Sequence, residues 1–358
     1  TSLACPASYL FSDRHMKLVV GTYTTKLPWV DGHGKGLYCF DFNEETGDIS
    51  DGSLFEVTSD NPTYLASHAN SSRLFVSHEV NSFQGKDEGA ISMVNIGENG
   101  ELLSVVDQTT SGGKGPCHIV ISSCGKYLYI ANYDGGSISC VECDQNGFQK
   151  TLWTKQHESD DSLTSFRQDG PHCHSVNLFM DETLLLVSDL GNNRCFVYQV
   201  ASNGTPVDEP RLLQSVKLAD TAGPRHIAIH PSQPIFYVLN ELNNTITTFK
   251  YSYDNNEAKP TFDIQQTSNI STLPDDCKTE SFAAAIKMTT DGKSVIASNR
   301  GHDSLAIFQV DESGGLKLQC HQPVYGKAPR DFFVHPNGQW VITINQDSDN
   351  GVVFKRGT

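Results

Sequence analysis

The sequence predicts an all-β chain folded as a seven-bladed β-propeller, with four-stranded antiparallel blades around a central channel. Three observations carry that expectation. Short runs rich in β-branched and aromatic residues alternate with Gly-, Pro-, Asn- and Asp-bearing turns along the whole chain, without a helical period long enough to divide it. A polar residue that closes one strand follows the residue opening the preceding strand by sixteen positions, seven times over. Those closing residues, Thr22, His78, Asn132, Asp189, Asn240, Asn299 and Asn345, recur at steps near fifty residues, the period of a propeller blade.

Taken in order, the opening and closing pairs are Pro6 with Thr22, Pro62 with His78, Pro116 with Asn132, Cys173 with Asp189, Pro224 with Asn240, Ala283 with Asn299 and Pro329 with Asn345. The fifth unit is the clearest. Residues 225–230 read as a strand, Pro231-Ser232-Gln233 as a turn, and residues 235–240 as the returning strand. The start of one antiparallel strand lies beside the end of its partner, so Arg225 and Glu241 are expected to emerge together. Third strands follow at residues 37–42, 90–94, 137–141, 195–198, 245–249, 305–308 and 352–354. Turns such as Glu45-Thr46-Gly47-Asp48 and Ser313-Gly314-Gly315 then lead into a fourth strand before the next opening residue. Residues 1–15 read either as a tag ahead of Met16 or, preferred here, as an inner strand running in register from Pro6. The chain stops at a third strand, which leaves the ring one inner strand short and gives the N-terminal segment that place.

Composition limits the function. A chain of 358 residues would ordinarily suggest two domains, but repeated blades close into one unit, so residues 1–358 are read as a single domain. A net charge of −16 argues against nucleic acid and anionic membranes as partners. No apolar run reaches the eighteen residues of a membrane span. Ten cysteines without a disulfide framework read as reduced, buried thiols of a cytoplasmic protein. Cys140 and Cys143 have no second pair to complete a zinc site, so neither metal nor cofactor is expected.

The repeat register gathers chemistry on one rim. The two positions after each opening residue include Cys117 and His118, His174, Arg225 and His226, and Arg330 and Asp331. The position beyond each closing residue supplies Tyr23, Glu79, Tyr133, Glu241, Arg300 and Gln346. Three arginines, three histidines and two glutamates are a heavy load for a chain in which 19% of residues are charged. The polar inserts at residues 26–35, 81–88, 157–170 and 269–280 are expected to surround the same mouth. Plain structural readings stand beside these. Arg225 and Glu241 also suit an ion pair tying one blade, His118 and His226 suit framework residues, and Asp331 suits a salt bridge with Arg330. His172 and His174 are harder to absorb, because two extra residues occur only in that repeat. Arg300 stands where other repeats carry Tyr, Leu, Gln or Glu.

Residues 17–354 resemble the seven-bladed lactonase family, which joins bacterial-type 6-phosphogluconolactonase and fungal carboxy-cis,cis-muconate lactonising enzyme (cyclase). The resemblance rests on Gly21-Thr22-Tyr23-Thr24, Ala131-Asn132-Tyr133, Pro171-His172-Cys173-His174, Gly223-Pro224-Arg225-His226, Asn240-Glu241-Leu242, Ser298-Asn299-Arg300-Gly301 and Pro329-Arg330-Asp331 with Asn345-Gln346-Asp347. It implies a metal-independent lactonase with catalytic His174, Glu241, Arg225 and Arg300. His172, His118, His226, Arg330, Asp331 and Gln346 are then expected to contact substrate. The implied substrate is a small anionic sugar lactone, 6-phospho-D-glucono-1,5-lactone of the pentose phosphate pathway, acted on by a monomer or weak homo-oligomer. Cyclase chemistry on a carboxylated muconate stays open as an alternative, as does a non-catalytic propeller binding a metabolite or protein. Calcium-dependent six-bladed lactonases fit less well, given seven repeats and an arginine-rich mouth.

Overall fold

A computed structural model describes residues 8–11 (backbone only), 16–67, 72–160, 167–202, 204–254 and 261–357. Its strands form seven successive antiparallel blade sheets, and the first strand of each packs beside the first strand of the next. The sixteen-residue spacing turns out to be the ladder itself. Pro62 pairs with His78, Pro116 with Asn132, Cys173 with Asp189, Pro224 with Asn240, Ala283 with Asn299 and Pro329 with Asn345. In the first sheet Ser8–Phe11 is the inner strand and pairs with Met16–Val20; Pro6 lies outside the described residues. The expected third strands are present and extend further outward, as in Arg194–Ser202 and Thr245–Asp254.

Second strands such as Leu184–Asp189, Ile235–Asn240 and Trp340–Asn345 are buried along their whole length. They are covered on both faces by neighbouring blades, which is why their sequences read as unbroken apolar runs rather than alternating ones. One hydrophobic cluster fills each of the seven spaces between adjacent blades. A buried Leu, Ile or Phe in such a cluster contributes about 1.5–3 kcal/mol. Outer strands such as Leu316–Pro323 are largely exposed. Cys140 and Cys143 enter different inter-blade clusters, so their sulfurs serve separate cores. All nine described cysteines are free thiols.

Ring closure brings the first and last sheets together. Six sheets have four strands, whereas the seventh has three among the described residues: Pro329–Val334, Trp340–Asn345 and Asn350–Lys355. The strand absent from that sheet among the described residues is the outer one. Closure comes from face packing, because Met16, Leu18, Val20 and Phe42 of the first blade meet Phe333, Trp340, Ile342 and Ile344 of the last. The Trp340 indole also donates to Glu44 O at 2.8 Å. The turn it touches needs Gly47, whose φ is +82° and where a Cβ would meet the indole at 2.5 Å.

The feature that shapes the site is a bulge repeated at the start of the inner strands. Register shifts fall between Pro62 and Tyr64, Pro116 and His118, Cys173 and Ser175, Pro224 and His226, and Pro329 and Asp331. The extra residue of each bulge is Thr63, Cys117, His174, Arg225 or Arg330. A bulge re-aims a side chain that regular alternation would turn into the neighbouring blade.

Candidate active site

A cavity of about 650 Å³ opens at the end of the channel where the bulged residues stand. Its centre is Glu241, which is 1% exposed. Glu241 Oε1 accepts from Arg167 Nη1 at 2.5 Å and from Arg300 Nη2 at 2.7 Å. Arg225 Nε lies 3.1 Å from Oε2, an ion-pair distance. Its angle makes no hydrogen bond, and both atoms are buried without a hydrogen-bond partner. Such orphaned polar atoms are uncommon in a folded protein and mark strain or function. Arg225 also donates through Nη1 to Ala284 O of the next blade, and Arg300 donates to Phe282 O of its own blade at 3.3 Å, so the sixth blade fixes both guanidinium planes.

His174 Nε2 lies 3.8 Å from Glu241 Oε2. The Cys117 thiol donates to His174 O at 3.4 Å. Burial lowers the His174 pKa well below the ordinary histidine value and Arg225 adds to the effect, against the pull of Glu241. The imidazole is therefore neutral at physiological pH. Burial pushes the Glu241 carboxyl up, but Arg300, Arg167 and Arg225 together outweigh it and hold the group well below the usual carboxylate range. Burial brings Arg225 down to about 10 even beside that carboxylate.

The opposite wall comes from the seventh, first and second blades. Arg330 Nη2 donates to the Tyr23 hydroxyl at 2.7 Å and lies 4.0 Å from Glu79 Oε2. Tyr23 in turn donates to Glu79 at 2.7 Å, and Arg330 Nη1 reaches Gln346 Oε1 at 3.4 Å. Two carboxylates and four guanidiniums thus share one cavity, with two further acids, Asp134 and Asp169, on its lining.

His174, Glu241, Arg225, Arg300, His172, Arg330 and Gln346 all line this cavity. His118, His226 and Asp331, expected to touch substrate, are not among its lining residues. They form a layer beneath the mouth, because each follows its bulged residue by one position and sits a step further down the channel. The His226 ring is 5.4 Å from those of both His174 and His118, and the Tyr64 hydroxyl meets His118 Nε2 at 2.7 Å. Asp331 faces Lys287 at 3.5 Å. Burial drives the His118 and His226 pKa values well below the ordinary range.

Arg167 was not foreseen. It belongs to the polar insert at residues 157–170, outside the repeat register, and has left-handed backbone, with φ of 64°. Asp189, the closing residue of its blade, holds both ends of that insert. It accepts from His157 Nδ1 at 2.7 Å and from the His172 backbone at 2.8 Å, and Asn192 donates twice more at 2.9 Å. Gln168 Nε2 ties the middle to Leu190 O at 3.0 Å. The donor atoms of His157, Cys173 and Asp189 lie within 4.8 Å of one another. Asp189 is nevertheless filled by four donors, and His157 Nε2 is engaged by the Tyr198 hydroxyl at 3.1 Å. The group reads as a structural pin rather than a metal centre. Of the other inserts, the segment at residues 26–31 reaches the cavity through Pro28 and Trp29, whereas the segments at 81–88 and 269–280 do not line it.

A ring of bulged residues converging on an arginine-bound carboxylate defines a seven-bladed propeller with a basic site at one end of its channel. The chain belongs to the family described as "Lactonase, 7-bladed beta-propeller", whose profile matches residues 17–358. It is 31% identical to a 6-phosphogluconolactonase of Formosa agariphila over 344 residues, covering 95% of this chain and 92% of that one. It is 28% identical to a 6-phosphogluconolactonase of Bacillus subtilis, covering 94% and 90%. Among solved structures it is similar to a periplasmic gluconolactonase of Pseudomonas aeruginosa, with a TM-score of 0.82 and 26% identity, covering 95% of this chain and 92% of that one.

Proposed function

We propose that this protein hydrolyses a small anionic sugar lactone, with 6-phospho-D-glucono-1,5-lactone as its substrate. The observation that carries the reading is a neutral histidine beside a carboxylate already shared by three guanidiniums, all facing one cavity. The family and the names of the Formosa and Bacillus relatives support it.

In this reading His174 is the general base, because its imidazole is neutral and free to take a proton from water. The water oxygen bonds to the lactone carbonyl carbon, and Arg300 and Arg225 hold the oxyanion that forms. Such preorganised charge is often the largest catalytic contribution. As the tetrahedral centre collapses, the bond to the ring oxygen breaks and His174 returns the proton there, giving a hydroxyl and a carboxylic acid that loses its remaining proton to solvent. Glu241 is too firmly ionised to act as the base. Its role is to orient the arginines and to favour the transient imidazolium. Arg330 and Gln346 on the far wall grip the phosphate, for which a forked guanidinium suits the geometry. No step calls on a metal.

A coupled assay with freshly made 6-phosphogluconolactone, read above spontaneous hydrolysis, tests the proposal. Turnover by the wild type that drops on the order of 10²-fold or more in Arg300→Ala supports it. A wild-type rate equal to the spontaneous one rejects it.

A further inference from the structure

Two of the three tryptophans do what large aromatic residues usually do. Trp153 and Trp340 are 7% and 4% exposed, inside inter-blade clusters. Trp29 is 54% exposed. It sits with Pro28 at the tip of a two-stranded ribbon, Lys26–Leu27 paired with Val30–Asp31. It lines both the central cavity and a neighbouring one of about 440 Å³.

The ribbon is braced, so this exposure does not come from a loose loop. Val30 is buried against Tyr23, with Leu27 packed on them. Asp31 bridges to Lys26 at 3.5 Å and to His33 at 3.1 Å. Gly34 N donates to Tyr23 O at 2.9 Å, and a Cβ at Gly34 would meet the Thr22 side chain at 2.1 Å. The base of the ribbon thus rests on the same Tyr23 whose hydroxyl contacts Glu79 and Arg330. A rigid mount holds an indole in water at the mouth of a polar cavity, leaving apolar area unburied that a ligand could cover.

We propose that Trp29 is the platform on which the ring of the substrate stacks, and that the site is built for polyhydroxylated ring lactones of aldonic acids rather than for open-chain polycarboxylates. The inference rests on the lactonase reading and deepens it. A saturated sugar ring has one face of C–H bonds and an edge of hydroxyls. Stacked on Trp29, it would turn its hydroxyls toward Glu79, its phosphate toward Arg330 and Gln346, and its carbonyl toward the arginines around Glu241. An open-chain polycarboxylate would satisfy the arginines but has no saturated ring face to lay on an indole.

The test uses the full chain and has two arms. In the kinetic arm, Trp29→Ala is expected to raise KM on the order of tenfold, as truncation of an aromatic anchor does. Its kcat should stay within about twofold, and Trp29→Phe should recover most of the loss by retaining an aromatic face. In the binding arm, acrylamide quenching reports Trp29, since the other two tryptophans are buried. Added glucose 6-phosphate, whose pyranose ring keeps the saturated face, is expected to shield it, and open-chain citrate is not. A KM unchanged in Trp29→Ala, no shielding by glucose 6-phosphate, or equal shielding by citrate overturns the platform. Shielding by glucose 6-phosphate in a wild type without turnover would reject the hydrolase reading and leave the platform standing.

Discussion

Replacing Glu241 with Gln separates a keystone carboxylate from a catalytic base. Gln fills nearly the same volume and removes one negative charge from a position that is 1% exposed. Arg167, Arg300 and Arg225 would then keep their positive charges with no carboxylate between them. Neutralising one partner of a buried ion pair costs about 3–5 kcal/mol. Arg167 is 29% exposed and can swing toward water, which places the expected loss near the lower end, at about 3 kcal/mol. Urea unfolding followed by tryptophan emission measures this as a lower midpoint with unchanged slope. The kcat/KM for the lactone should fall on the order of 10²-fold, because the oxyanion donors lose their orientation. A base with no structural duty would give the same kinetic loss with the midpoint unmoved. That result, or activity within a few-fold of wild type, would refute the keystone argument.

Three other outcomes follow from the geometry. Asp189→Asn should lower kcat/KM on the order of tenfold by loosening the insert that carries Arg167, and the loss should shrink in an Arg167→Ala background, as a double-mutant cycle shows for coupled residues. Arg330→Ala should raise KM for 6-phosphogluconolactone by tenfold or more while leaving unphosphorylated glucono-1,5-lactone nearly unaffected, since a hydrogen bond to a charged group is worth about 1.5–3 kcal/mol. Folding stability should fall as pH drops below about 6.5. Burial lowers His78 to about 4 and holds His118, His174 and His226 well below the ordinary value, so the unfolded chain takes up protons that the folded one refuses. Between about 6.5 and 4 the buried His78 removes up to about 1.4 kcal/mol per pH unit, and His118, His174 and His226 act in the same direction, read as a falling melting temperature in a pH series.

The fold was legible because a propeller repeats one physical problem seven times. Each blade needs an inner hairpin of fixed length, so the distance from Pro62 to His78 is the same as from Pro329 to Asn345, and both pairs are ladder partners. Closure was not legible in the same way. It depends on which faces meet, and the packing of Met16 and Phe42 against Trp340 and Ile342 leaves no periodic trace in the sequence. Strand count alone placed the N-terminal segment at the inner edge, where Ser8–Phe11 stands, but gave no sign that the last blade has no outer strand among the described residues.

The site divides along the same line. His174, Arg225 and Arg330 sit on bulged residues and Glu241, Arg300 and Gln346 just past closing residues, so the repeat register delivers all six to one cavity. The bulge also explains where the register misled. Regular strand alternation sends successive side chains to opposite faces, yet here Arg225 and His226 both face the axis, with Arg225 Nη1 within 3.1 Å of the imidazole. Two adjacent channel-facing residues cannot occupy the same depth: the bulged one reaches the mouth, and its successor is left in the packed layer below. His118, His226 and Asp331 are that lower layer, buried where they support the upper one. Arg167 and Trp29 obey no register, since their inserts are placed by single contacts, Asp189 with His157 in one case and Val30 with Tyr23 in the other. Repetition in this protein supplies the machinery common to the blades. The departures from repetition supply the third arginine on Glu241 and the exposed indole at the mouth, so substitutions in the two inserts should change which lactone is preferred more readily than substitutions in the ring.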